Sequence, residues 1–224
     1  LESLPYLLRH PLVQGAKQAE SEAERRLSDA SKRYGPDHPR MVAAQAAAKT
    51  FLDDLPPNIQ VGIVTFAGSA RVAQQATLDR ASLVGAIDAI QMQFGTAVGS
   101  AIVVRLAELF PDHGISLEDM TFGAMHKARS RDDKEKGLPK QITPVAPGSY
   151  DSAAIILLSD GRRTTGVDTL EAAKMAADRG VRIYVVGLGT PDGHTAMGEG
   201  MAIYLQLDEP TLRHVAQMTG GEYH

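Results

Sequence analysis

Cysteine is absent from the 224 residues, which excludes disulfides, thiolate metal sites and a cysteine nucleophile, and leaves the redox compartment undecided. Tryptophan is also absent, and aromatic residues make up only 5%, so stacking platforms for nucleobases are not expected. There is no excess of basic charge: 23 Lys and Arg stand against 27 Asp and Glu, a formal net charge of −4. Neither nucleic acid nor an anionic membrane surface is therefore an expected partner. No apolar run approaches the ~20 residues that span a bilayer, and no signal-peptide pattern opens the chain. The expectation is a segment that makes no membrane contact itself, which leaves room for a longer, membrane-anchored parent.

What is present is ordinary globular chemistry, with 43% hydrophobic and 22% charged residues, enough for one α/β domain with an appendage. Leu12, Ala16, Ala19, Ala23, Leu27, Ala30 and Tyr34 recur at three- and four-residue spacing and predict a helix over 10–34. Gly35-Pro36-Asp37-His38-Pro39 breaks it, and an Ala-rich helix follows at about 40–55, closed by Pro56-Pro57. From Ile59 the period changes. "IQVGIVTF" (59–66) reads as a strand, and "RVAQQATL" (71–78) as its hairpin partner after Gly68-Ser69. Asp79 caps a helix through about Ile90, and 96–110 is a second helix with a strongly apolar face. Then come the strand 153–159, a helix at 167–179, the strand 181–188 and a helix at 208–218. This alternation predicts an α/β fold, a mostly parallel sheet between helices. Residues 111–150 read as an irregular insertion carrying the solvated charge run 127–140.

Six apolar residues at 153–158 end in Ser159, Asp160 and Gly161. A strand apolar on both faces is buried on both faces, and in open parallel sheets ligands collect beyond the C-terminal strand ends. Asp160 stands at such an end. Thr96 follows Gly95 at a helix start, where a threonine alone reads as an N-cap. No catalytic set accompanies them. "GLGTPDG" (187–193) lacks dinucleotide spacing and reads as a turn. Ser159 has no nucleophile elbow, and Asp132 and Asp133 sit in a charge run. His10, His38, His113, His126, His194, His214 and His224 form no paired zinc motif. The chain reads as a non-enzyme.

Taken in order, "VGIVTFAGSA", "GTAVG", "IILLSDG", "VRIYVVGLGT" and "LDEPTLRHVAQMTGGEYH" resemble a bacterial, membrane-anchored von Willebrand factor type A domain over about 40–224. The resemblance implies a Rossmann-like fold, a protein partner, an extracytoplasmic location at a bacterial inner membrane, and a metal-ion-dependent adhesion site. In that site Thr96 would be the hydroxyl ligand of Mg²⁺ and Asp160 the acid of the third loop, a set that suits a hard octahedral cation. The family's Asp-x-Ser-x-Ser loop, at the end of a first central strand, has no clear counterpart. The nearest match, Asp29-Ala30-Ser31-Lys32-Arg33, follows a charged helical stretch and reads as accidental. Set against that resemblance, the chain is expected to lack the usual first strand and last helix. An incomplete site of this kind is expected to bind Mg²⁺ at millimolar affinity at best.

In place of the first strand, "LRHPLVQ" and "RYGPDHPRM" resemble the periplasmic helical region of exopolysaccharide chain-length determinants over about 4–46. "PRMVAAQA" suits both families. Either the chain is a fusion, natural or engineered, or one likeness is coincidental. The organisation expected is a helical segment over 1–39 followed by the α/β domain over 40–224. The alternative function is a self-associating helical element of a polysaccharide export system. A missing central strand leaves bare sheet edges, which opens a route to a homodimer by strand or helix exchange.

Overall fold

The computed structural model describes residues 39–91, 93, 95–117, 120, 142–188, 194–198, 201–205 and 207–224, with the backbone alone described at 39, 40, 43, 194–198 and 201–205. The sequence readings of a helix at 10–34, of Asp29–Arg33, of the turn at 189–193 and of the charge run at 127–140 lie outside these residues.

Helix α1 (Pro39–Asp54) draws its propensity from five alanines at 43, 44, 46, 47 and 48. It leads into strand β1 (Val61–Phe66), which pairs antiparallel with β2 (Ala70–Thr77) through the turn at Gly68-Ser69. Helix α2 (Arg80–Asp88) begins at Asp79, whose side chain accepts from the backbone N–H groups of Ala81 and Ser82. The Ser82 hydroxyl and these amide donors hold the Asp79 carboxyl below the usual 3.8. At the other end of α2, Gln45 Nε2 donates to the carbonyls of Ile87 and Ile90 at 2.9 and 3.2 Å. That ties α1 to carbonyls that a helix C-terminus leaves without intrahelical partners. Leu52, Leu55, Leu83 and Ile87 form a small core here, with Val61 and Ile63 against it.

Helix α3 (Val98–Leu109) is followed by a short 3₁₀ turn at Pro111–His113. Strand β3 (Ala154–Ser159), helix α4 (Thr169–Asp178), strand β4 (Arg182–Gly187) and helix α5 (Glu209–Thr219) complete the main layer. Strands β3 and β4 run parallel in register from Ala154↔Arg182 to Ser159↔Gly187. Residues 222–224 lie along β4 in the same direction: Val185 N–H donates to Glu222 O (2.9 Å) and His224 N–H to Val185 O (2.8 Å). The principal core gathers Val98, Ile102 and Leu106 of α3, Leu157 of β3, Ala172 and Ala176 of α4, Ile183 and Val185 of β4, and Leu212 and Val215 of α5.

Three expectations need correction. The sheet is not mostly parallel. The described strands form three two-stranded ladders, of which only β3–β4 is parallel. Strand–helix alternation implies parallel pairing only when each crossover carries a helix, and β1 and β2 are joined by a tight turn. Second, β5 (His194–Gly198) and β6 (Met201–Leu205) form an antiparallel hairpin in a stretch that gave no strand signal. Third, β3 is not buried on both faces. Leu157 and Ser159 are buried, whereas Ile156 and Leu158, which alternate to the other side, are half-exposed. Among the described residues β1 and β3 each pair along one edge only.

Candidate functional site at the C-terminal end of the sheet

The ladder of β3 and β4 ends where Leu188 N–H donates to Ser159 O at 2.9 Å. Beyond it the chain is shaped by its own side chains. Gly161 N–H donates to the buried Ser159 Oγ (3.0 Å), and Arg162 N–H to Asp160 Oδ1 (3.3 Å), an Asx-type turn that an acid at this position makes locally. Asp160 O accepts from Asp208 N–H at 2.8 Å, which fixes the start of α5 against the loop. Gly161 has φ +79°, and a Cβ there would fall 2.7 Å from Leu212 Cγ. Only glycine fits both the left-handed backbone and the close approach of α5.

Thr96 and Asp160 reach the same end of the fold by way of Thr164. Thr96 N–H donates to Thr164 Oγ1 (2.8 Å), and Thr164 N–H donates back to Thr96 O (3.0 Å). Gly95, with φ +93°, packs against the backbone of Gly68 just past the end of β1. The 95–96 loop thus bridges the ends of β1 and β3. Both Thr96 and Asp160 are half-buried. The capping role read for Thr96 is not what the structure shows. Helix α3 starts one residue later, with Ala97 at the N-cap and no side-chain capping bond.

Deeper in, the buried Ser100 Oγ accepts from Val167 N–H at 3.1 Å. A Cβ on Gly99 would lie 2.3 Å from Val167 O, and one on Gly166 2.3 Å from Ser100 Oγ. The loop after β3 is therefore pressed onto α3 with glycine at both contact points. Thr164 and Ser100 escaped the sequence reading. A serine inside the apolar run of α3 was the available signal for the second; Thr164 had none.

Two arginines and two helix starts complete the crevice. Asp168 caps α4 by accepting from the N–H groups of Leu170 and Glu171, and Asp208 caps α5 by accepting from Thr211 N–H. Arg163 stands 3.6 Å from Asp168 Oδ2 and donates to Gly166 O at 3.2 Å.

Whether a divalent cation fits can be judged from these donors. Thr96 and Asp160 supply one hydroxyl and one carboxylate, and among the described residues no group of three or more His, Asp or Glu stands together as a metal site. Two protein ligands leave most of an octahedral shell to water, so the described residues would hold Mg²⁺ weakly at best. Among the described residues no helix is long and apolar enough to cross a membrane.

Comparison with known proteins agrees with this architecture. A family model described as von Willebrand factor type A domain matches residues 27–115, so a domain of this type is present. The match begins upstream of residue 40, where the sequence reading set its boundary. The UPF0353 proteins of Mycobacterium ulcerans and Mycobacterium tuberculosis are each 33% identical over 188 residues, covering 81% of this chain and 48% of the relative. The chain thus spans about half the length of the curated relatives it matches. Among solved structures, a conserved hypothetical protein BatB from Bacteroides thetaiotaomicron aligns with a TM-score of 0.57 at 25% identity, over 82% of this chain and 78% of that one. An aerotolerance-related membrane protein from Bacteroides fragilis aligns with a TM-score of 0.55 at 25% identity, over 82% and 79%.

Proposed function

We propose that this chain is a protein-recognition module of a membrane-associated bacterial protein, facing the extracytoplasmic side, with the crevice at the C-terminal end of its sheet as the contact surface. The observation that carries the reading is the reciprocal pair of bonds between Thr96 and Thr164, which sets the Thr96 and Asp160 loops side by side at the end where open α/β sheets bind their ligands. The membrane association rests on likeness to the Bacteroides fragilis membrane protein. Thr96 and Asp160 are contact residues in this reading, and a metal bound through them is weak unless a second chain adds ligands. We assign residues 40–224 to the module and residues 1–39 to a helical segment before it. The edges of β1 and β3 that have no strand partner among the described residues offer a second copy a place to exchange a strand or helix.

The test is a photo-crosslinking residue at the exposed Gln93, three residues before Thr96 in the chain, and at the exposed Val145, which bonds to Asp178 at the far end of α4, in cells that make the protein natively. A discrete adduct from position 93, absent from position 145 and weakened by Asp160→Ala, is the expected result. EDTA is expected to leave it intact. Equal labelling from both positions, or none from position 93, overturns the reading.

A further inference from the structure

A cavity of about 230 Å³ opens beside the Asp160 loop, between the starts of α4 and α5. Its polar lining is Arg162, Arg163, Asp168, Thr169, Asp208 and Thr211. Thr169 is 3% exposed, and its Oγ1 has no hydrogen-bond partner among the described residues. A buried hydroxyl left without a partner is costly and rare in folded proteins. Here it belongs to the first residue of a ten-residue helix, at the end where backbone N–H groups and the helix dipole favour negative charge.

We propose that this cavity receives a phosphate monoester group. Formal charges in the lining cancel, two guanidinium groups against two carboxylates. Each helix start adds roughly half a positive charge, so the cavity as a whole favours an anion. The carboxylates are already committed: Asp168 Oδ1 to the first-turn amides of α4 and Asp208 Oδ1 to Thr211 N–H. The Arg163–Asp168 pair, at 3.6 Å with both side chains more than 40% exposed, is of the weak surface kind that a better acceptor displaces. The choice of phosphate over carboxylate follows from the donors. The donors stand on three separate elements, the Arg163 guanidinium on the loop after β3, the Thr169 hydroxyl at the start of α4 and the Thr211 hydroxyl in the first turn of α5. The oxygens of a phosphate point in enough directions to meet all three where a planar carboxylate does not. The cavity is smaller than the usual range for drug-sized ligands and suits a single such group. The proposal deepens the recognition reading, and rests on it only for the source, a phosphorylated side chain of the protein partner.

The test is a titration of the full chain with inorganic phosphate, O-phosphoserine and sodium acetate at matched ionic strength, followed by ¹⁵N–¹H NMR at the amides of Thr169, Arg163 and Thr211. Saturable shifts at these amides with both phosphates and not with acetate are expected. Tighter binding of O-phosphoserine identifies a protein-borne group, and equal binding identifies free phosphate. Thr169→Val keeps the shape and removes a hydroxyl without a partner, so it should fold at least as well as the parent and weaken phosphate roughly threefold to tenfold, the value of one hydrogen bond. Acetate binding as well as phosphate, or unchanged affinity in Thr169→Val, overturns the proposal. Phosphate saturation without an adduct at position 93 defeats the recognition reading and leaves this one standing; the adduct without saturation does the reverse.

Discussion

Thr219 is fully buried at the end of α5, and its hydroxyl joins the last helix to the sheet. It accepts from Ile183 N–H at 3.0 Å and lies 2.9 Å from Val215 O. Thr219→Val keeps the shape and orphans the Ile183 amide in the middle of the core, so stability should fall by about 1–3 kcal/mol. Urea unfolding checks this, with Thr219→Ser as the variant that keeps the bond and loses less. The same scale shows what was legible in the sequence. Asp160 could be placed at a strand end because an apolar run stops there. Its local bond to the Arg162 amide follows from residue type alone. The partner of Thr96 was not legible, because Thr164 lies 68 residues further along the chain and nothing in either neighbourhood marks the pairing. Thr169 hid for a different reason: a threonine one place after a capping aspartate looks like any first-turn residue until its burial is known.

At the scale of elements, periodicity located the described helices and the strands β1 to β4 to within a residue or two, because each buries one face and its sequence repeats accordingly. Pairing was harder. The turn at Gly68-Ser69 announced a hairpin, yet alternation of strands and helices elsewhere suggested parallel neighbours throughout. The hairpin of β5 and β6 carries few β-branched residues, so composition did not announce it. The edges of β1 and β3 left without partners among the described residues make a prediction of this scale. Unpaired edges template pairing with another chain. Sedimentation velocity over a range of concentrations should therefore show a dimer. A strand exchange predicts slow monomer–dimer conversion, and a single monomer species at high concentration removes the exchange proposal.

For the whole molecule, the described hydrophobic interior comes in two parts. One gathers α3, α4 and α5 over β3 and β4; the other is a cluster of four buried side chains between α1, α2 and β1. Helix α3 touches both sides, and the bridge from Gly95 to Gly68 ties them at one end. Small cores are marginal on their own, and local regions with few buried contacts open before the whole does. Differential scanning calorimetry should then give a total heat larger than the van't Hoff enthalpy taken from the same trace, the mark of a transition that is not all-or-none. Equal enthalpies would mean that the two interiors melt as one. If they do not, amides of α1 and α2 will exchange with solvent deuterium while those of β4 stay protected, and a protease will cut first between Pro39 and Asp88. The smaller lobe would then act as a thermal fuse, letting go while the sheet that carries the crevice is still whole.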